Sequence, residues 1–191
     1  PPASSREEAA RILKELRLTR RMITSQVASI FDPIGIWEPI KLDLKIHLSK
    51  LKDLEWDMEV SDPDQITWKK KIEEILDVRH LTVQRTVVPS DAVDPYSARL
   101  ICITDASATA GGAAIYVGYR RKGGGWSNQL ITAKSRLLNW TVPRNELASI
   151  LLGCEMTYLV HKALKPIVKE CIYLTDSQIS LCWIHNQQKR L

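Results

Sequence analysis

Apolar residues recur at helical spacing through the first eighty positions. Ser5-Arg6-Glu7-Glu8 has the form of a capping box, and Ala9, Ile12, Leu13 and Leu16 follow it on one face. A second helix is expected from Thr19, carrying Ile23, Val27 and Ile30, until Asp32-Pro33 stops it. Lys41 to Leu51 repeats the pattern through Leu44, Leu48 and Leu51. Ser61-Asp62-Pro63-Asp64 then caps a fourth helix whose inner face reads as Ile66, Ile72, Ile75 and Leu76. This half predicts a small, all-helical packing module.

The period changes near residue 80. Leu81, Val83 and Val87 look extended, and Pro89 to Pro95 has the composition of a linker. Three strands are expected next, at Arg99–Thr104, Gly112–Arg120 and Trp126–Ala133, with Lys122-Gly123-Gly124-Gly125 joining the last two as a hairpin. Pro143 suits the first turn of a long helix reaching about Ala163, with Leu147, Ile150, Leu151, Cys154 and Tyr158 on its apolar face. Glu170–Leu174 reads as a short buried strand, and another helix begins at Ser177. The order is β-β-β-α-β-α. It predicts an α/β domain over 91–191 after a helical module over 1–90.

Composition narrows the class. The chain has 191 residues, 45% hydrophobic and 26% charged, with 8 Gly and 9 Pro, which excludes disordered and collagen-like chains. The longest run without Asp, Glu, Lys or Arg is the 14 residues Ala106–Tyr119. A spanning helix needs about 20 apolar residues, so no membrane segment is expected. The start, Pro1-Pro2-Ala3, has neither an initiator methionine nor a signal pattern and reads as a cut from a longer chain. Cys102, Cys154, Cys171 and Cys182 lie 52, 17 and 11 residues apart, without zinc spacing. They read as buried, reduced thiols in an intracellular protein.

Charge divides the halves. Residues 1–90 carry 15 Lys/Arg against 15 Asp/Glu, whereas residues 91–191 carry 12 against 7, so the net +5 lies in the second half, where it suits a polyanionic partner and, equally, solubility. Three of its few acids fall at special places. Asp105 ends the first strand, Glu146 lies in the first turn of the long helix, and Asp176 ends the fourth strand. If the first and fourth strands are parallel neighbours, a helix crossing them brings all three carboxylates together. Such a cluster repels itself unless cations neutralise it. Hard oxygen ligands suit Mg²⁺ or Mn²⁺, and two such ions can clamp the attacking and leaving oxygens of a phosphodiester. Taken singly, each acid also fits a structural role as a cap, turn or helix-start residue.

These motifs resemble ribonuclease H, and most closely that of Bel/Pao-type LTR retrotransposon polyproteins. The matching segments are Thr104-Asp105-Ala106-Ser107, Ala133-Lys134-Ser135-Arg136, Pro143-Arg144-Asn145-Glu146-Leu147 and Leu174-Thr175-Asp176-Ser177, with Trp183-Ile184 following. Val27-Ala28-Ser29-Ile30-Phe31-Asp32-Pro33-Ile34-Gly35 resembles a segment that lies between polymerase and ribonuclease H in these elements, and it reads as a thumb or connection packing element. The resemblance implies a ribonuclease-H-like mixed sheet that cuts the RNA strand of RNA/DNA hybrids and leaves a 3′-hydroxyl and a 5′-phosphate. It implies two Mg²⁺ or Mn²⁺ ions on Asp105, Glu146 and Asp176. Ser107, Arg144, Asn145 and Ser177 are the candidates for contact with nucleic acid, Asn145 at the sugar edge; Asn145 reads equally as a helix-start residue, and Ser107 and Ser177 as caps or supports of the neighbouring carboxylates. No Tyr-x-Asp-Asp motif is present, so a polymerase domain in cis is the expected partner.

One departure from the family pattern weakens this expectation. A fourth acid and a fifth strand usually follow, yet none of the 15 residues after Asp176 is acidic. A scaffold or domesticated remnant that binds hybrid or a partner protein without cutting is therefore the alternative. A transposase or integrase would want its Glu last, whereas here it is second.

Overall fold

The computed structural model describes residues 6–78, 82–83 and 86–186. Ser5, Leu81 and the side chain of Leu76 lie outside the described residues, as do positions 187–191. Ten elements follow one another: α1 (Arg6–Glu15), α2 (Arg20–Ala28), α3 (Glu38–Ser49), α4 (Asp62–Val78), β1 (Ala98–Ala106), β2 (Ala110–Arg120), β3 (Trp126–Leu137), α5 (Val142–Leu164), β4 (Val168–Leu174) and α6 (Gln178–His185). Every one was legible as a helix or strand in the sequence, and the strands run longer than their patterns because pairing extends past the apolar residues. Two compact units result. One holds residues 1–31 and 43–83, the other residues 32–42 and 84–191, with the division falling inside α3.

The helical unit is built on Leu13, Leu18, Ile23, Leu44, Leu51, Val60 and Trp68, all buried. Buried Gln65 completes it. Its side chain accepts from Leu18 N at 2.9 Å and donates to Leu18 O at 3.0 Å and Val60 O at 3.2 Å, which satisfies backbone groups between helices. Ile66, expected on the inner face of α4, is 72% exposed, and Trp68 takes the buried position. The buried face of α4 thus runs through Gln65 and Trp68. Thr19 caps α2, accepting from Met22 N.

In the second unit the sheet order is β3-β2-β1-β4, with β1 antiparallel to β2 and parallel to β4. Ala98, Leu100, Cys102 and Thr104 alternate towards α5, and with Ala113, Ile115, Val117, Tyr119, Leu152 and Met156 they form the core. α5 meets the sheet through its small residues. A Cβ on Gly153 would lie 2.6 Å from both Cys102 Sγ and Thr104 Cγ2, and one on Gly111 would lie 2.0 Å from Ser149 Oγ. This close approach corrects the face read from periodicity. Asn145, Glu146, Ser149, Leu152, Gly153, Met156 and Thr157 are buried, whereas Leu147, Leu151, Cys154 and Tyr158 are exposed. The stripe of large apolar residues is the more hydrophobic one, but only the small stripe fits at this distance.

By length and composition α5, with 23 residues, is apolar enough to cross a membrane. It carries charged residues that interrupt every charge-free run, and it packs across β1 and β2. β4 is half-exposed rather than buried, as befits an edge among the described strands. All four cysteines are free, but only Cys102 is buried and Cys154 and Cys182 are exposed, against the expectation of four buried thiols.

The Phe-Asp-Pro-Ile-Gly segment divides between the units. Phe31 is 86% exposed, whereas residues 32–42 pack with the sheet. Ala133 N on β3 donates to Ile34 O at 2.8 Å. Gly35 adopts φ +75°, and a Cβ there would lie 2.0 Å from Ala133 O, so only glycine fits. The Asp32 side chain has no exposed surface; its two oxygens accept from Ile36 N and Trp37 N at 2.9 and 3.0 Å. Glu38 accepts from Ser135 N and Oγ and pairs with Lys41 at 2.6 Å. This motif therefore covers the outer edge of β3.

Candidate metal centre

Asp105 is the penultimate residue of β1, and Asp176 follows the end of β4. The parallel pairing runs from Arg99 opposite Glu170 to Ile103 opposite Leu174, so both strands deliver their aspartates at the same end of the sheet. Thr104 Oγ1 donates to Leu174 O at 3.4 Å, joining the two strands one residue before Asp105 and two before Asp176. Glu146 is the fifth residue of α5, one step beyond the first turn in which the sequence placed it, because the helix already begins at Val142 with Pro143 in its first turn. Ser180, fully buried in the first turn of α6, donates to Pro143 O at 3.4 Å and so joins the starts of α5 and α6.

The three side chains converge. Their carboxylate oxygens lie within 4.8 Å of one another, with Asp105 and Asp176 exposed and Glu146 buried. Glu146 Oε2 has no hydrogen-bond partner, although it is shielded from solvent. Burial first, and then the charges of Asp105 and Asp176, push the Glu146 carboxyl above its ordinary range. Among the described residues no cation opposes that shift. An orphaned buried oxygen in a cluster made only of hard donors fits a divalent cation of the Mg²⁺ or Mn²⁺ type. Asp105 also borders a groove of about 370 Å³ on the sheet face away from α5, whose lining includes Gly112, Ala114, Ala133, Ser135 and Glu38.

The residues expected at nucleic acid are placed differently from one another. Arg144 is exposed beside Glu146. Ser107 Oγ accepts from Thr109 N and Ala110 N at 3.3 and 3.2 Å and closes the β1–β2 turn. Ser177 caps α6, its Oγ accepting from Ser180 N at 3.3 Å. Asn145 has no exposed surface, and its side chain donates to Ser107 O at 2.8 Å. Thr104, Gly153 and Ser180 hold the site together; Gly153 and Ser180 were not singled out in the sequence, and Thr104 entered only as part of the motif around Asp105. A glycine inside a helical pattern is the one signal that pointed to close packing. Thr104 and Ser180 had none, since a single buried hydroxyl leaves no periodic trace.

A family model described as a Pao retrotransposon-like RNaseH-like domain matches residues 19–177, a span that includes all three acids. No curated protein matches the chain. Among solved structures, a foamy viral protease-reverse transcriptase, described as dRH and in complex with double-stranded DNA, matches with a TM-score of 0.44 and 16% identity. That match covers 91% of this chain but 29% of the viral one, so the chain spans less than a third of that protein. With most of its length matched by the family model and its strands and helices in the expected order, the chain belongs to the Pao retrotransposon-like RNaseH-like domain family.

Proposed function

We propose that this protein is an endoribonuclease that hydrolyses the RNA strand of RNA/DNA hybrids within a retroelement reverse transcriptase. In this proposal Asp105, Glu146 and Asp176 hold two Mg²⁺ or Mn²⁺ ions. One observation carries the reading: three carboxylates from three elements lie within 4.8 Å of one another around a buried Glu146 oxygen that no protein donor satisfies. Membership of the RNaseH-like family supports it. The polymerase domain of the same polyprotein is the proposed partner in cis, and the proposed setting is intracellular.

When bound, the divalent ions would supply Lewis acidity, lowering the pKa of an attacking water and offsetting charge on the leaving oxygen. The chain's own part is positional. Glu146 offers a ligand from the buried side and the two aspartates from the exposed side, so a phosphodiester reaches the site from solvent. Thr104 and Ser177 hold the strand ends from which the aspartates project. Exposed Arg144, next to Glu146, is placed to meet backbone phosphate, as the basic excess of residues 91–191 favours.

The test is direct. With Mg²⁺ or Mn²⁺ the purified protein should shorten the RNA strand of a labelled hybrid and leave single-stranded RNA intact. Asp105→Asn or Asp176→Asn should abolish cutting while circular dichroism shows the fold retained. A protein that binds hybrid and never cuts it is instead a non-catalytic scaffold.

A further inference from the structure

Asn145 is a polar side chain with no exposed surface, directly before a candidate metal ligand. Its Nδ2 donates to Ser107 O at 2.8 Å and to Ala108 O at 3.3 Å. Its Oδ1 accepts from Trp140 N at 3.3 Å. Two of these partners belong to the β1–β2 turn, and the third to the connection between β3 and α5. The turn is closed on its own account, since Ser107 N donates to Ala110 O at 2.7 Å and Ser107 Oγ accepts from two further amides. A closed turn two residues beyond Asp105 is thus tied to the helix residue beside Glu146. Only a neutral amide offers two donors and an acceptor together; a carboxylate cannot donate to carbonyls, and an alkyl group can do neither.

We infer that Asn145 is a positioning residue whose buried amide fixes the spacing of Asp105 and Glu146 and so sets the affinity of the centre for divalent cations. It does this without touching nucleic acid. The affinity half of the inference rests on the metal-centre reading, whereas the lock itself rests only on the hydrogen bonds. Outer partners that orient metal ligands are typically worth about ten- to hundredfold in metal affinity. Ser107 and Ala108 are exposed, so water can reach their carbonyls when the amide is removed, and the variant is expected to fold.

The test uses Asn145→Ala and Asn145→Asp in the whole chain, with three measurements: amide hydrogen exchange, Mn²⁺ binding by calorimetry, and hybrid binding in chelator. Asn145→Ala should speed exchange at Trp140, whose acceptor it removes, leave Thr109 and Ala110 protected by Ser107 Oγ, weaken Mn²⁺ binding about ten- to hundredfold, and leave metal-free hybrid binding unchanged. Asn145→Asp still accepts from Trp140 N, so slow exchange should persist there while the tie to Ser107 O and Ala108 O is lost. A loss of hybrid binding with Mn²⁺ affinity intact would make Asn145 a nucleic-acid contact and overturn the inference. Unaltered exchange in Asn145→Ala, or collapse of both variants, would overturn it in favour of a purely structural role. A wild type that binds no Mn²⁺ refutes the metal-centre reading together with the affinity half, and the exchange rates then decide the lock alone.

Discussion

Replacing Glu146 by Gln keeps the shape of a buried side chain and removes its charge. At 4.8 Å two unit charges repel by about 0.9 kcal/mol at a dielectric of about 80 and about 3.5 kcal/mol at about 20. Asp105 and Asp176 are exposed, so the lower bound is the nearer one, and the substitution removes two of the three pairwise repulsions. Without divalent ions the variant should therefore be more stable than the wild type, by about 1–2 kcal/mol. In a chain of this size that corresponds to a midpoint rise of about 2–8 °C. The sign with pH follows from the raised Glu146 carboxyl. The folded state holds its proton more tightly than the unfolded state, so the wild type has its full stability below the ordinary Glu range and loses part of it as pH rises through the raised value. The gap between variant and wild type should thus vanish in acid and open towards neutral pH. Mn²⁺ should reverse the order: a hundred times its dissociation constant adds about 2.7 kcal/mol to the wild type by linkage, and less to the variant. Thermal melts of both proteins across pH, with and without Mn²⁺, measure all of this. If the metal-free variant is the less stable one at neutral pH, or if Mn²⁺ stabilises both equally, the carboxylates are not a strained, metal-ready cluster.

Three further substitutions test how the site is carried. Gly153→Ala places a Cβ 2.6 Å from Cys102 Sγ and Thr104 Cγ2, so α5 must lift from β1; overpacking of this kind costs about 1–3 kcal/mol, read by urea unfolding, and Mn²⁺ binding should weaken with it. Gly35→Ala meets both a positive φ and the Ala133 carbonyl at 2.0 Å, and should cost more than the about 1–2 kcal/mol of the backbone conformation alone; a neutral effect would mean that residues 32–42 do not dock on β3. Asp32→Ala removes the acceptor for Ile36 N and Trp37 N, a cap-like loss of about 0.5–2 kcal/mol that equilibrium unfolding should register.

The candidate site was legible in the sequence because each acid sits where local order is strong. Asp105 and Asp176 each end an apolar run, and Glu146 follows a proline that marks a helix start. Parallel pairing of β1 with β4 was a condition of that reading rather than a result of it, since the strand directly before α5 is β3 and β4 instead lies beside β1, at the opposite side of the sheet. What stayed hidden depends on distance between elements rather than on period along them. Leu151 and Tyr158 make the more apolar stripe of α5 yet face outward, because Gly111 and Gly153 draw the helix closer to the sheet than large side chains permit. The Asp32-to-Gly35 motif carried no assignable chemistry for a similar reason. Its glycine answers to a carbonyl of β3 almost a hundred residues away, and Glu38 to the hydroxyl of Ser135 on the same strand. Asn145 shows the same limit within the site. A polar residue beside a metal ligand reads equally well as a substrate contact or as a brace, and only its complete burial, with Ser107 O and Ala108 O on one side and Trp140 N on the other, separates the two. The chemistry was therefore written in single positions, while the spacing that makes it usable was written in pairs that meet only after folding.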